Sequence, residues 1–198
     1  MKTLPINVVI EGLPVLVIGG EFEAHEKVEK LLRYGAAITV LAPALNDELT
    51  SLAEAGKIRH LAEAYAPAHL KGYRLVYVGD LCKEKREKIR KDTRELGVLF
   101  NAVDMPGLCD FIMPASIQGK NFALSICTGG KAAGLSRQLR EQLESAIHQE
   151  DEILEVLDQI RTIFKRKYDT FGERRDRLWA ILEELETIEN ANDVTVKP

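Results

Sequence analysis

The sequence predicts an α/β protein: a parallel sheet with helices on both faces, then a small α+β region, then a helical C-terminal domain. Three observations predict this class. Short Val-, Ile- and Leu-rich runs alternate with helical patterns over the first hundred residues, as in doubly wound sheets. One such run, Val15-Leu-Val-Ile18, passes directly into Gly19-Gly20 and a helix. From about Glu150 onward only helical spacing remains.

Taken in order, the first strand is Val15–Ile18, and Ala24, Val28, Leu31 and Leu32 then recur at helical spacing until Gly35 closes that helix. Ile38–Leu41 is the second strand, ended by Pro43, and Leu45, Leu49 and Leu52 mark a helix that stops near Gly56. Ile58–Leu61 reads as a short strand and Leu75–Val78 as a firmer one. Glu84–Leu96 is a charged helix, followed by the strand Val98–Val103. Past Pro114, Phe122–Ile126 is a further strand, and Gly129-Gly130 opens a helix carrying Leu135, Leu139 and Leu143. Ile153, Leu157, Ile160, Ile163 and Phe164 form one more helical pattern, and Leu178, Ile181, Leu182 and Leu185 another, with Gly172 between them. The tail from Asn190 to Pro198 has little to bury and is expected to fray. These patterns divide the chain into a sheet domain at 1–112, a small region at 113–147 and a helical domain at 148–198.

Composition narrows the function classes. At 45% hydrophobic and 29% charged residues the chain reads as globular. No run approaches the ~18–20 apolar residues that span a bilayer, and no secretory pattern opens the sequence, so no membrane partner and a cytoplasmic address are expected. A net charge of -4 offers no general attraction to nucleic acid. Cys82, Cys109 and Cys127 lack C-x-x-C spacing, and His25, His60, His69 and His148 are scattered. That pattern suits a reducing compartment and argues against a protein-held metal.

Four stretches carry possible chemistry. Gly19-Gly20-Glu21-Phe22-Glu23-Ala24 follows a strand as a dinucleotide turn does, with Gly19 and Ala24 in the first and third small positions and Glu21 in the middle one. A carboxylate there repels a diphosphate, so a Rossmann-like scaffold without a nucleotide stands as the alternative. Asp104 ends an apolar strand, where open sheets bind ligands; its other reading is a turn aspartate capping its own backbone. Thr128-Gly129-Gly130-Lys131 presents backbone N–H groups and a cation suited to an anion, or else makes a plain turn. The basic run Arg161, Lys165, Arg166, Lys167, Arg174, Arg175 and Arg177 is interleaved with acids and reads as a solvated face.

These residues resemble the precorrin-2 dehydrogenase / sirohydrochlorin ferrochelatase family, the amino-terminal module of siroheme synthases. The likeness runs through Leu4-Pro-Ile6, Val17-Ile-Gly-Gly20, Ala24, Lys27, Gly35-Ala36 and Thr39-Val-Leu-Ala-Pro43. It is most specific at Asn101-Ala-Val-Asp-Met-Pro106, Phe111-Ile-Met-Pro-Ala115 and Ser125 through Glu144. The chain departs from the family pattern at Glu21 and at Val78-Gly79-Asp80-Leu81. The resemblance implies a Rossmann-like domain, a homodimer formed around Pro114–Ser145, and NAD⁺-dependent oxidation of precorrin-2 to sirohydrochlorin. In many members Fe²⁺ insertion follows, with the iron as substrate. It implies Asp104 as the catalytic carboxylate and Thr128, with Gly129, Gly130 and Lys131 beside it, at the tetrapyrrole. Gly19, Gly20, Phe22, Glu23, Pro43 and Ala44 would line the cofactor. The alternatives are a ferrochelatase without dehydrogenase activity and a non-catalytic tetrapyrrole-binding protein.

Overall fold

The structure is a computed structural model that describes residues 2–119, 122–147 and 150–193, with backbone alone at 145–147, 150–153, 155 and 185–193. His148, the tail from 194 to 198 and the side chains of Ile153 and Leu185 lie outside the described residues. Five strands, β1 (Pro14–Ile18), β2 (Ala37–Leu41), β3 (Arg59–Leu61), β4 (Leu75–Val78) and β5 (Leu99–Ala102), form an all-parallel sheet in the order β3-β2-β1-β4-β5. The connections include α1 (Phe22–Arg33), α2 (Asp47–Glu54) and α3 (Lys83–Leu96). Strand order reverses at β1, which lies between β2 and β4. A crevice opens at that point beyond the carboxyl ends of the strands.

Successive side chains alternate between the two faces of the sheet, and both faces are covered, so strands such as β1 are apolar throughout. Val15 and Val17 of β1, with Ile38, Val40, Leu75 and Tyr77, pack under Ala24, Val28 and Leu31 of α1 and Leu49 of α2. Leu16 and Ile18, with Leu41, Val76, Val78 and Phe100, pack with Leu70 and Ile89, the latter from α3. Each fully buried aliphatic side chain contributes roughly 1.5–3 kcal/mol, so β1 and β4, buried at nearly every position, anchor the sheet. Helix ends follow local chemistry. The Asn46 side chain accepts the Leu49 N–H at 3.0 Å to start α2, and Gly97, at φ 68, closes α3. Helix α3 also carries Arg86 and Arg90 at 8% exposure each, and both are paired, as burial requires.

The remaining elements are an antiparallel hairpin of β6 (Ala115–Gln118) and β7 (Ala123–Ile126), then α4 (Ala133–Ile147), α5 (Glu150–Lys167) and α6 (Phe171–Asp193). Helix α4 packs on both hairpin strands, and α5 packs on α6. The chain forms two compact units. One runs to Met113 and includes Gly129–Ala132; the other holds Pro114–Thr128 and the chain from Ala133 onward.

Three sequence expectations are corrected, and one strand is added. Strand β6 was not anticipated, because Ala-Ser-Ile-Gln has no apolar run and is defined by its register with β7. Helix α4 starts at Ala133, three residues after the glycine pair, since both glycines turn left-handed at φ 65 and 78. The break between the last helices falls at Tyr168–Thr170, and Gly172 lies within α6, whose start is held by the Thr170 hydroxyl accepting the Glu173 N–H at 3.3 Å. Residues 190–193, expected to fray, continue α6.

Candidate active site

A cavity of ≈ 470 Å³ sits at the switch point. Ile18, Leu41, Ala42, Pro43, Ala44 and Ile89 supply much of its apolar wall, and Glu21, Glu63, Asp80, Lys85 and Lys88 bring charge to it. Gly19 and Gly20 border this cavity for reasons internal to the fold. A Cβ on Gly20 would stand 2.1 Å from the Ala44 carbonyl oxygen, and Gly19, at φ 133, presses against the Gly79 carbonyl. Of the six residues expected at the cofactor, Gly19, Gly20, Pro43 and Ala44 line the cavity. Phe22 is 68% exposed, and the Glu23 carboxylate is engaged elsewhere.

Asp80 reaches the start of α1 from the end of β4. Its carboxylate accepts the N–H groups of Glu21, Glu23 and Ala24 at 3.0, 2.9 and 3.0 Å. Glu23 returns the contact, accepting the Asp80 N–H at 2.7 Å and an Arg86 N–H at 2.7 Å. The two acids thus form a reciprocal cap between segments 57 residues apart, with the logic of a capping box. Arg86 also donates to the carbonyls of Leu81, at 2.7 Å, and Val103. One guanidinium therefore ties α1 to the residue preceding Asp104. Sequence reasoning missed Arg86, since nothing in a charged helix marks which arginine turns inward. A Gly-Asp pair ending a strand was the available signal for Asp80.

Asp104 follows β5 in left-handed backbone at φ 56 and is exposed. The residues around it fold back on the strand. Asn101 donates its side-chain N–H to the Phe111 carbonyl at 2.9 Å, and the Phe111 ring meets Tyr77 edge-on at 5.2 Å. Asp110 accepts the Phe100 N–H at 3.0 Å and pairs with Arg90. The Asn101–Met113 motif thus holds Asp104 on a tight loop. Lys27 lies within electrostatic reach of Asp104 and Cys109, and burial lowers its amine's pKa. A Cβ on Gly130 would stand 3.1 Å from the Pro106 side chain, so the Gly129–Ala132 turn packs against the loop that carries Asp104. Lys131 is exposed. Thr128 belongs to the other unit, where its hydroxyl accepts from Ser136 at 3.3 Å.

Cys82, Cys109 and Cys127 form no disulfide among the described residues. Among the described residues no group of three or more His, Cys, Asp or Glu side chains is placed to hold a metal ion. No described helix is long and apolar enough to cross a membrane.

Comparison with known proteins gives one family, two relatives and one similar solved structure. The model of the NAD_binding_7 family, described as "Putative NAD(P)-binding", matches residues 6–115. Siroheme synthase 1 of Aeromonas salmonicida is 37% identical over 176 residues, which is 88% of this chain and 38% of that protein. A siroheme synthase of Methylobacillus flagellatus is 32% identical over 180 residues, 90% of this chain and again 38% of its own length. The chain thus spans under two-fifths of these relatives. Among solved structures, SirC, a precorrin-2 dehydrogenase, superposes with a TM-score of 0.70 at 21% identity over 90% of this chain and 89% of that one, a likeness of fold. The residues fit the adenosine part of a dinucleotide, given the cavity's volume and apolar wall. The helix start where a diphosphate sits in such folds is taken by the Asp80 carboxylate, so the fit is complete only with that side chain withdrawn.

Proposed function

The chain belongs to the NAD_binding_7 family, and from that premise we propose that it serves siroheme biosynthesis by oxidising precorrin-2 to sirohydrochlorin with NAD⁺. The observation that carries the reading is Asp104, a carboxylate on a braced loop at the end of β5. The names of the siroheme synthase relatives and of the precorrin-2 dehydrogenase of similar fold support the same chemistry.

The dinucleotide, when bound, supplies the hydride acceptor, and Gly19, Gly20, Pro43 and Ala44 would hold its adenosine side. Phe22 and Glu23, also expected there, act at most through the start of α1. The chain's own task is the proton, which leaves the substrate carbon as hydride departs elsewhere and is taken up by the Asp104 carboxylate. The same group can receive pyrrole protons when Fe²⁺, as substrate, enters sirohydrochlorin. Precorrin-2 carries eight carboxylates, and the exposed Lys131 suits them, beside Thr128, Gly129 and Gly130, which the resemblance puts at the tetrapyrrole. Leu135, Leu139 and Leu143 are 48%, 36% and 40% exposed along α4, and they suit the apolar seam of a homodimer. Three cysteines, an odd number without C-x-x-C spacing, accord with a reducing, cytoplasmic setting.

One observation favours a second reading. The Asp80 carboxylate caps the start of α1, the point a diphosphate would need, as a sirohydrochlorin ferrochelatase without dehydrogenase activity could tolerate. Asp104→Asn separates chemistry from binding, because Asn also adopts left-handed backbone. Precorrin-2 oxidation should fall by roughly 10²–10⁴-fold while sirohydrochlorin binding persists. Full activity in Asp104→Asn would remove the carboxylate from the mechanism. Metal insertion without any oxidation by the parent protein would favour the ferrochelatase.

A further inference from the structure

The N–H groups of Glu21, Glu23 and Ala24 converge on one point at the start of α1, and the Asp80 carboxylate occupies it. In a β-strand, glycine turn and helix of this kind, that point is where a dinucleotide places its diphosphate. Both anions seek the same donors and the same helix dipole. We propose that Asp80 is a built-in occupant of the diphosphate position, so that a dinucleotide binds only as this carboxylate swings out. The proposal rests on the cofactor reading above and deepens it by naming the residue that sets the affinity.

The geometry shows how the occupant is held. Gly79 brings it close: a Cβ there would lie 2.9 Å from the Glu23 Cβ and 3.0 Å from the Ala24 nitrogen. Asp80 adopts φ 53, a conformation open to Asp, Asn and Gly. Its own N–H is fastened to Glu23, which Arg86 fastens in turn. The backbone at Asp80 is therefore anchored while its side chain makes contacts that an incoming anion can replace. A cap of this kind stabilises the empty protein and opposes the ligand. A merely structural cap would do the first alone.

The test uses Asp80→Asn and Asp80→Gly, both compatible with the left-handed backbone. NAD⁺ and adenosine are each titrated by calorimetry into the full chain, and thermal unfolding of the ligand-free proteins is recorded. The expected result is a lower unfolding temperature in both variants with NAD⁺ binding at least about tenfold tighter, equivalent to about 1.4 kcal/mol. Adenosine, which lacks the diphosphate, should bind all three proteins alike. NAD⁺ affinity unchanged or weakened in the variants, with the parent binding, overturns the proposal and leaves the cofactor reading standing. An equal gain for adenosine also overturns it, because the effect would not lie at the diphosphate. Absence of NAD⁺ binding in all three proteins removes both.

Discussion

Asp80 and Asp104 are the two non-glycine residues with left-handed backbone among those described, and each ends one of two adjacent parallel strands. Such a conformation costs most residues roughly 1–2 kcal/mol, whereas the short polar side chain of Asp tolerates it. At Asp80 the bend brings the carboxylate to the cavity and the start of α1, and at Asp104 it leaves the side chain exposed. Arg86 stands between them. Its guanidinium serves Glu23, Leu81 and Val103 together, with its side chain 9% exposed. Arg86→Met keeps the apolar stem but leaves the Glu23 carboxylate and the Val103 carbonyl without their donor. Removing one partner of a largely buried pair costs roughly 3–5 kcal/mol, an upper bound here because Glu23 is 29% exposed. Urea unfolding should show a loss of about 2 kcal/mol or more, and oxidation should fall with it as the Asp104 loop loosens. A midpoint unchanged from the parent would show that the guanidinium bears no load.

At the scale of elements, the β1–α1 turn and the β2–α2 loop are pressed together at Gly20. The Gly20 carbonyl accepts the Asn46 N–H at 2.8 Å, and a Cβ would meet backbone at 2.1 Å, with no flexible side-chain end to yield. Gly20→Ala should therefore destabilise by roughly 1–3 kcal/mol or more, visible as a lower unfolding temperature whether or not nucleotide is present. If Gly20→Ala keeps its stability and loses only NAD⁺ affinity, the glycine serves the ligand and not the fold. Glu21, expected to repel a diphosphate, lines the same cavity as Asp80, with its side chain exposed and its backbone N–H directed at the Asp80 carboxylate. The carboxylate seated on the helix start comes from a segment 59 residues away.

At the scale of the whole molecule, the apolar stripe on α4 separates a monomer from an assembly. Leu135, Leu139 and Leu143 recur at four-residue intervals and remain 36–48% exposed, although α4 packs on β6 and β7 along another side. In the proposed homodimer this stripe is covered by a second copy. Leu139→Glu, which places a charge mid-stripe, should shift sedimentation from a dimer mass toward a monomer mass while leaving helix content unchanged. A parent protein that sediments as a monomer at every concentration would refute the assembly outright.

The order of the sheet elements was legible in the sequence because it rests on local signals. Apolar strands such as Val15–Ile18, the glycine after α1 and the Pro-Gly turn after β5 each announce themselves within a few residues. The position of Asp104 at a strand end was legible for the same reason. Strand β6 was not, since its four residues gain strand identity only from pairing with β7. Nor was the inward turn of Arg86, which depends on the three acceptors that α1, β4 and β5 bring around it. The sequence by itself determined the α/β class, the glycine turn and the loop that carries Asp104, because periodicity and turn chemistry are short-range. Only the tertiary structure decided that a carboxylate from the end of β4 caps the start of α1, because the three N–H groups and that carboxylate lie almost 60 residues apart and meet only when β4 is laid beside β1.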